Sequence, residues 1–323
     1  MIVCLQCLKE ARRYEVRPMK QHEIQVPPYL KPGDKIGICA TARKVFLPDM
    51  TEVSKIPEDW GMKIQFGQNL FGELHQFSGT DEERAADLQY FLDDPETKAI
   101  FCARGGYGTM RIIDRLDFTA FKKNPKWIVG YSDITVLHSH IHTNCHIASL
   151  HATMPINFRL DQFSTGSLRK ALMGINLSYT AENKTAVANR SGKAEGILAG
   201  GNLSLLYAML HSDSDIDTNG KILFLEDIDE YLYHIDRMIL SLKRAGKFRG
   251  LKGLIVGGMT AMRDNEIQFG KDAEEIISEH VAEYDFPVCY GFPAGHDSKN
   301  YALPLGTRVR MNLQDRITNI HFE

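Results

Sequence analysis

Trp127-Ile128-Val129-Gly130-Tyr131-Ser132-Asp133-Ile134-Thr135 decides the fold. Its apolar run does not alternate, so it reads as a strand buried on both faces. It halts at Gly130, and a helical pattern begins just after Ser132. A strand that feeds directly into a helix belongs to a parallel sheet covered by helices. Upstream the same rhythm recurs. Ala99-Ile100-Phe101-Cys102-Ala103 is a second apolar strand, followed by a helical pattern from Met110 to Leu116. Before it, Thr80-Asp81-Glu82-Glu83 is a capping box that opens a helix with apolar residues at Ala85, Leu88, Phe91 and Leu92, ended by Pro95. Residues 62–66 form another strand, and the turn Tyr29–Asp34 leads into the strand Lys35–Ala40.

Toward the C-terminus the pattern weakens and then returns. Residues 158–191 are polar with short apolar clusters and read as a connection holding one helix. From Gly192 onward, strands at 222–225, 253–257, 288–291 and 308–312 alternate with helices near 229–245 and 271–284, a second α/β or barrel-like unit. The expected organisation is an extension over 1–26, with Met19 as an alternative start, an N-terminal domain over 27–157, a connection over 158–191 and a C-terminal domain over 192–323. For 323 residues, two domains match a prior of ~150 residues each.

Composition bounds the function. Lys plus Arg number 38 and Asp plus Glu 41, a net charge of −3 that lacks the basic excess of a nucleic-acid binder. No apolar run reaches the ~18 residues of a membrane span, and no export signal is read at the N-terminus, so no membrane partner and a cytoplasmic location are expected. Six cysteines are too sparse for a disulfide scaffold. Cys4-x-x-Cys7 resembles half a metal or redox site without a second pair to complete it.

Three places carry candidate chemistry. Ser132, on a tight strand-to-helix turn, has the setting of a nucleophile elbow beside helix-start amides, although Ile134 stands where the second glycine of G-x-S-x-G belongs. The same position suits a plain helix cap. Arg104-Gly105-Gly106-Tyr107-Gly108 follows a strand and offers backbone amides to an oxyanion, or is simply a tight turn. Glu226 and Asp227 close an apolar strand, and His296 lies in the Gly/Pro loop 292–297, so Ser132, Glu226 and His296 could form a triad. The competing cluster is His138, His140, His142, His146 and His151, in which His138 and His142 share a helical face as zinc ligands do, without a carboxylate in the run.

Taken in order, the Pro-Gly-Asp entry at 32–34, Ala103–Gly108, Gly130–Thr135, Leu150-His151-Ala152, Gly200-Gly201-Asn202-Leu203, Leu225-Glu226-Asp227, Ile235–Met238 and Gly291–His296 through Leu303–Gly306 resemble the LD-carboxypeptidase family of serine peptidases. That family includes murein tetrapeptide carboxypeptidases and microcin C self-immunity peptidases. The resemblance implies an α/β fold, with a Rossmann-like parallel-sheet domain joined to a swivelling barrel-like domain in a homodimer. It assigns Ser132 as nucleophile, His296 as base and Glu226 as the acid that orients it. The oxyanion would be held by the N–H groups of Asp133 and of one glycine of the 105–106 pair, Gly106 being favoured. Arg104 and Asn202 are the candidates for substrate contacts. The implied reaction hydrolyses the amide between an L-diamino acid and a terminal D-alanine in muropeptide tetrapeptides, with no metal and no cofactor. An aminoacyl- or peptidyl-nucleotide conjugate as substrate, and a non-catalytic muropeptide-binding protein, are the alternatives.

Overall fold

The computed structural model describes residues 24–323. Cys4, Cys7, Met19 and nearly all of the expected extension 1–26 lie outside the described residues. The first half runs β1 (Lys35–Cys39), α1 (Leu47–Asp59), β2 (Lys63–Phe66), α2 (Asp81–Asp93), β3 (Thr97–Cys102), α3 (Thr119–Lys123), β4 (Trp127–Gly130), α4 (Thr135–Asn144) and β5 (Ser149–His151). Its sheet has the order β2–β1–β3–β4–β5 with every neighbour parallel. The capping box forms as read: Thr80 Oγ1 accepts from Glu83 N–H at 3.2 Å, and Glu83 Oε2 accepts from Thr80 N–H at 2.8 Å.

The helix expected from Met110 to Leu116 is instead two short 3-10 turns, Thr109–Arg111 and Ile113–Arg115. The amides of Arg111, Ile112, Arg115 and Leu116 all bond three residues back, and the Thr109 amide is taken by the Asp133 carboxylate. With β-branched Ile112 and Ile113 at its centre the segment stays in 3-10 turns, and its first amide, which has no partner within the turn, is satisfied by the Asp133 carboxylate.

The second half continues with α5 (Gln162–Leu172), β6 (Ser178–Glu182), β7 (Gly192–Asn202), α6 (Leu203–Ala208), β8 (Lys221–Ile228), α7 (Leu232–Arg244), β9 (Gly253–Thr260), α8 (Ala273–His280), β10 (Val288–Cys289), β11 (Leu303–Leu305), β12 (Arg308–Leu313) and β13 (Ile317–Phe322). Its seven-stranded sheet has the order β10–β9–β8–β7–β12–β13–β6, parallel from β7 to β10 and antiparallel beyond. The run after β6 ties the two margins of this sheet. Asn183 and Asn189 donate to Arg316 and Asp315 carbonyls, and Arg190 exchanges two backbone hydrogen bonds with Val288 of β10. The sheet is thereby drawn round toward a barrel.

The halves share their interior. Strand β11 leaves the second half to pair antiparallel with β5, so residues 303–305 complete the first sheet. One apolar core joins Phe91, Ile134 and Leu137 to Leu203, Leu225 and Val256, and another joins Phe101 and Leu150 to Phe224 and Phe292. The carboxyl ends of β4, β8 and β10 therefore meet across this seam.

Candidate active site

Strand β4 is buried from end to end and delivers Ser132 to its carboxyl edge. Ser132 has a left-handed backbone, φ 64°, a strain of ~1–3 kcal/mol for a residue with a Cβ. It opens a 3-10 turn, Ser132–Ile134, that runs into α4. Gly130 makes the turn possible, since a Cβ there would lie 2.8 Å from Ile134 Cγ1.

The Ser132 hydroxyl caps neither helical segment. Its Oγ lies 2.9 Å from His296 Nε2, while His296 Nδ1 lies 2.6 Å from Glu226 Oε2. A carboxylate only accepts, so Nδ1 carries the proton and Nε2 is left to accept from the hydroxyl. Glu226 is fully buried on β8, two residues before that strand ends at Ile228. The His296 loop reaches it through Gly295, φ 112°, where a Cβ would meet the Glu226 carboxylate at 2.7 Å. Burial would lower the His296 pKa, but the charge and hydrogen bond of Glu226, with Asp227 beyond, raise it overall. Asp227 is itself pushed up to about 7 by burial and by its neighbour Glu226.

The glycine loop lies against the elbow. A Cβ on Gly105 would stand 3.1 Å from Ser132 Cβ and 3.3 Å from its Oγ, so Gly105 is the glycine in contact with the hydroxyl. Gly106, φ 118°, follows it and faces Arg43. The Asp133 side chain is buried and binds the loop to the elbow by accepting from Thr109 N–H at 2.8 Å. On the other side the buried Arg84 donates to Gly108 O at 3.0 Å and to Thr41 O, and pairs with Asp81. Sequence reading missed Arg84 and the Asp133 carboxylate. An arginine inside an otherwise apolar helical face was the available signal, because a buried charge needs a partner.

The two expected substrate contacts differ. Arg104, half-buried immediately before Gly105, makes no hydrogen bond or ion pair with a described residue. Asn202 is 3% exposed and engaged within the protein. Its Oδ1 caps α6 through Leu205 N–H and accepts from Ser204 Oγ, and its Nδ2 donates to Asp227 Oδ1 at 2.9 Å.

Two histidines of the competing cluster have protein partners or company instead of a shared centre. His138 uses both ring nitrogens, on Ser149 Oγ at 2.8 Å and Gly130 O at 2.9 Å, and burial lowers its pKa to about 4. His151 is fully buried behind the triad, its ring 4.8 Å from that of Phe224 and 5.9 Å from that of Tyr131, and burial holds it neutral.

Known proteins share this architecture. Residues 36–152 match the LD-carboxypeptidase N-terminal domain and residues 195–311 the LD-carboxypeptidase C-terminal domain. A probable murein peptide carboxypeptidase of Bacillus subtilis is 35% identical over 90% of this chain and 92% of its own length. The murein tetrapeptide carboxypeptidase of Pseudomonas aeruginosa is 26% identical over 84% and 91%. The crystal structure of a muramoyltetrapeptide carboxypeptidase from Oxalobacter formigenes superposes with a TM-score of 0.80 at 26% identity, covering 89% of this chain and 98% of that one. The microcin C7 self immunity protein MccF, 23% identical with a TM-score of 0.81 over 94% and 99%, shares the fold.

Proposed function

This chain belongs to the LD-carboxypeptidase family, and from that premise we propose that it is a serine carboxypeptidase removing the terminal D-alanine of muropeptide tetrapeptides. The observation that carries the reading is the hydrogen-bonded run Ser132 Oγ–His296 Nε2 and His296 Nδ1–Glu226, assembled from both halves of the chain.

In this mechanism Ser132 Oγ attacks the carbonyl of the diamino acid while its proton passes to His296 Nε2. Glu226 holds the ring and stabilises the imidazolium. The tetrahedral oxyanion is met by the N–H groups of Asp133, at the start of the helical turn, and of Gly106. The imidazolium then protonates the departing amine, the C–N bond breaks, and D-alanine leaves an acyl-serine behind. Water deprotonated by His296 attacks that ester and restores Ser132. Arg104 contacts the substrate, whereas Asn202 acts as a positioning residue that braces Asp227 and α6. A cytoplasmic location and a homodimer complete the proposal. Among the described residues, no helix is long and apolar enough to cross a membrane.

Mass spectrometry of the protein incubated with a synthetic tetrapeptide ending in D-alanine tests this reading. Loss of one alanine residue is expected, unaffected by EDTA. Ser132→Ala should fold, since a hydroxyl at a helix start contributes only ~1 kcal/mol even when it caps, and should lose turnover by about four to six orders of magnitude. Cleavage that needs a metal would sink the triad. Inert but folded protein would favour a nucleotide-conjugate substrate or a binding role. Cell fractionation and light scattering check the location and the dimer.

A further inference from the structure

In the first sheet the chain leaves β1 for β2 on one side and returns to β3 on the other, so the strand order reverses between β1 and β3. Open parallel sheets bind ligands outside the carboxyl ends of their strands at such a switch point. Arg43 follows β1 there, Arg104 follows β3, and Ser132 follows the adjoining β4.

Arg43 is exposed, but its stem is laid across Gly106: a Cβ on that glycine would come within 2.6 Å of Arg43 Cγ and Cδ and 2.9 Å of Nε. Only a glycine admits it. The preceding Gly105 packs against Ser132, so the Arg43 side chain, a glycine pair and the hydroxyl stand in succession along this edge of the sheet. Of the neighbouring cations, Lys44 pairs with Glu73, Arg84 and Arg111 with Asp81, and Arg115 with Glu82, while the half-buried Arg104 is, like Arg43, unpaired among the described residues. The Arg43 guanidinium makes no hydrogen bond or ion pair with a described residue. A held cation without a protein anion, beside a nucleophile, has the chemistry of an anion receptor.

We infer that Arg43 is a specificity-determining residue whose guanidinium receives the free α-carboxylate of the leaving amino acid, and so restricts the site to the chain end. This rests on the peptidase reading above. In a peptide terminus the carboxylate carbon lies two bonds beyond the scissile nitrogen, within roughly 4 Å of the carbonyl under attack. A guanidinium across a glycine pair from the nucleophile can meet it while the oxyanion faces the loop amides.

The test compares kcat/KM for a tetrapeptide ending in D-alanine with that for the same peptide ending in D-alaninamide, in the full chain and in its Arg43→Gln and Arg43→Lys variants. The full chain should prefer the free acid. Arg43→Gln should reduce that preference about 10- to 100-fold, the range of a charge-assisted hydrogen bond, and Arg43→Lys should recover part of it. An unchanged ratio in Arg43→Gln, whether both rates fall together or neither falls, overturns the inference. If the full chain cleaves neither peptide, the peptidase reading fails and this inference with it.

Discussion

His296 performs two incompatible tasks unless its surroundings are asymmetric: it must donate at Nδ1 and accept at Nε2. Glu226 supplies the asymmetry, and because it is fully buried its charge acts with little screening. The folded His296 pKa stands above its ordinary 6.5. A general base works only when neutral, so the acid limb of the pH dependence of kcat/KM should lie above pH 6.5. Glu226→Gln removes the raising charge and leaves burial to act, which moves that limb to lower pH while kcat falls by about four orders of magnitude. A pH–rate profile of both proteins checks this, and an unmoved limb would assign Glu226 a purely packing role. The residue types of the triad were legible in the sequence. The Asp133 carboxylate was not, because its partner Thr109 lies 24 residues upstream.

Helix α2 illustrates how much of an element is local. Its start was legible, because a capping box needs only four consecutive residues. Its end is closed from a distance. The buried Lys126, next to β4, donates from Nζ to Phe91 O, Leu92 O and Asp94 O at 2.9, 2.9 and 2.7 Å. An ammonium among carbonyls at a helix C-terminus is favoured by the helix dipole as well as by its hydrogen bonds. Lys126→Met keeps the apolar stem and removes the donors, so it should destabilise the protein by about 2–4 kcal/mol in urea unfolding. Turnover under conditions where the variant is folded should be kept, because α2 does not carry the triad. The 3-10 turns over 109–115 make the complementary point. Apolar spacing predicted a helix, and the segment instead closes in two 3-10 turns tied to the elbow by the Asp133 carboxylate on the Thr109 amide.

At the scale of the molecule, the site exists only while the halves stay in register. Gly201, φ 147°, lies where β7 meets α4: a Cβ there would fall 2.6 Å from Thr135 Oγ1, the atom that accepts from Asn202 N–H at 3.0 Å. Thr135 begins the helix that follows Ser132, and Asn202 pairs in register with Glu226. Gly201→Ala therefore wedges apart the elements carrying the nucleophile and the acid. It should lower kcat at least tenfold and stability by about 2 kcal/mol or more. Gly166→Ala on α5, where a Cβ meets nothing within 4 Å, is the control and should leave kcat unchanged. Steady-state kinetics with thermal unfolding of both variants separates the effects.

By itself the sequence determined the alternation of buried strands and capped helices, the elbow at Ser132 and the presence of an acid and a histidine suited to serve it. These are written in backbone preferences and in apolar periods of a few residues, which act along the chain. What only the tertiary structure decided is which of twelve histidines faces Ser132, that Gly105 touches its hydroxyl, that Asn202 turns inward to Asp227, and that Arg43 lies over Gly106. Each is a contact between segments far apart in the chain, set by packing two sheets over one shared core, and such contacts leave no period in the sequence to read.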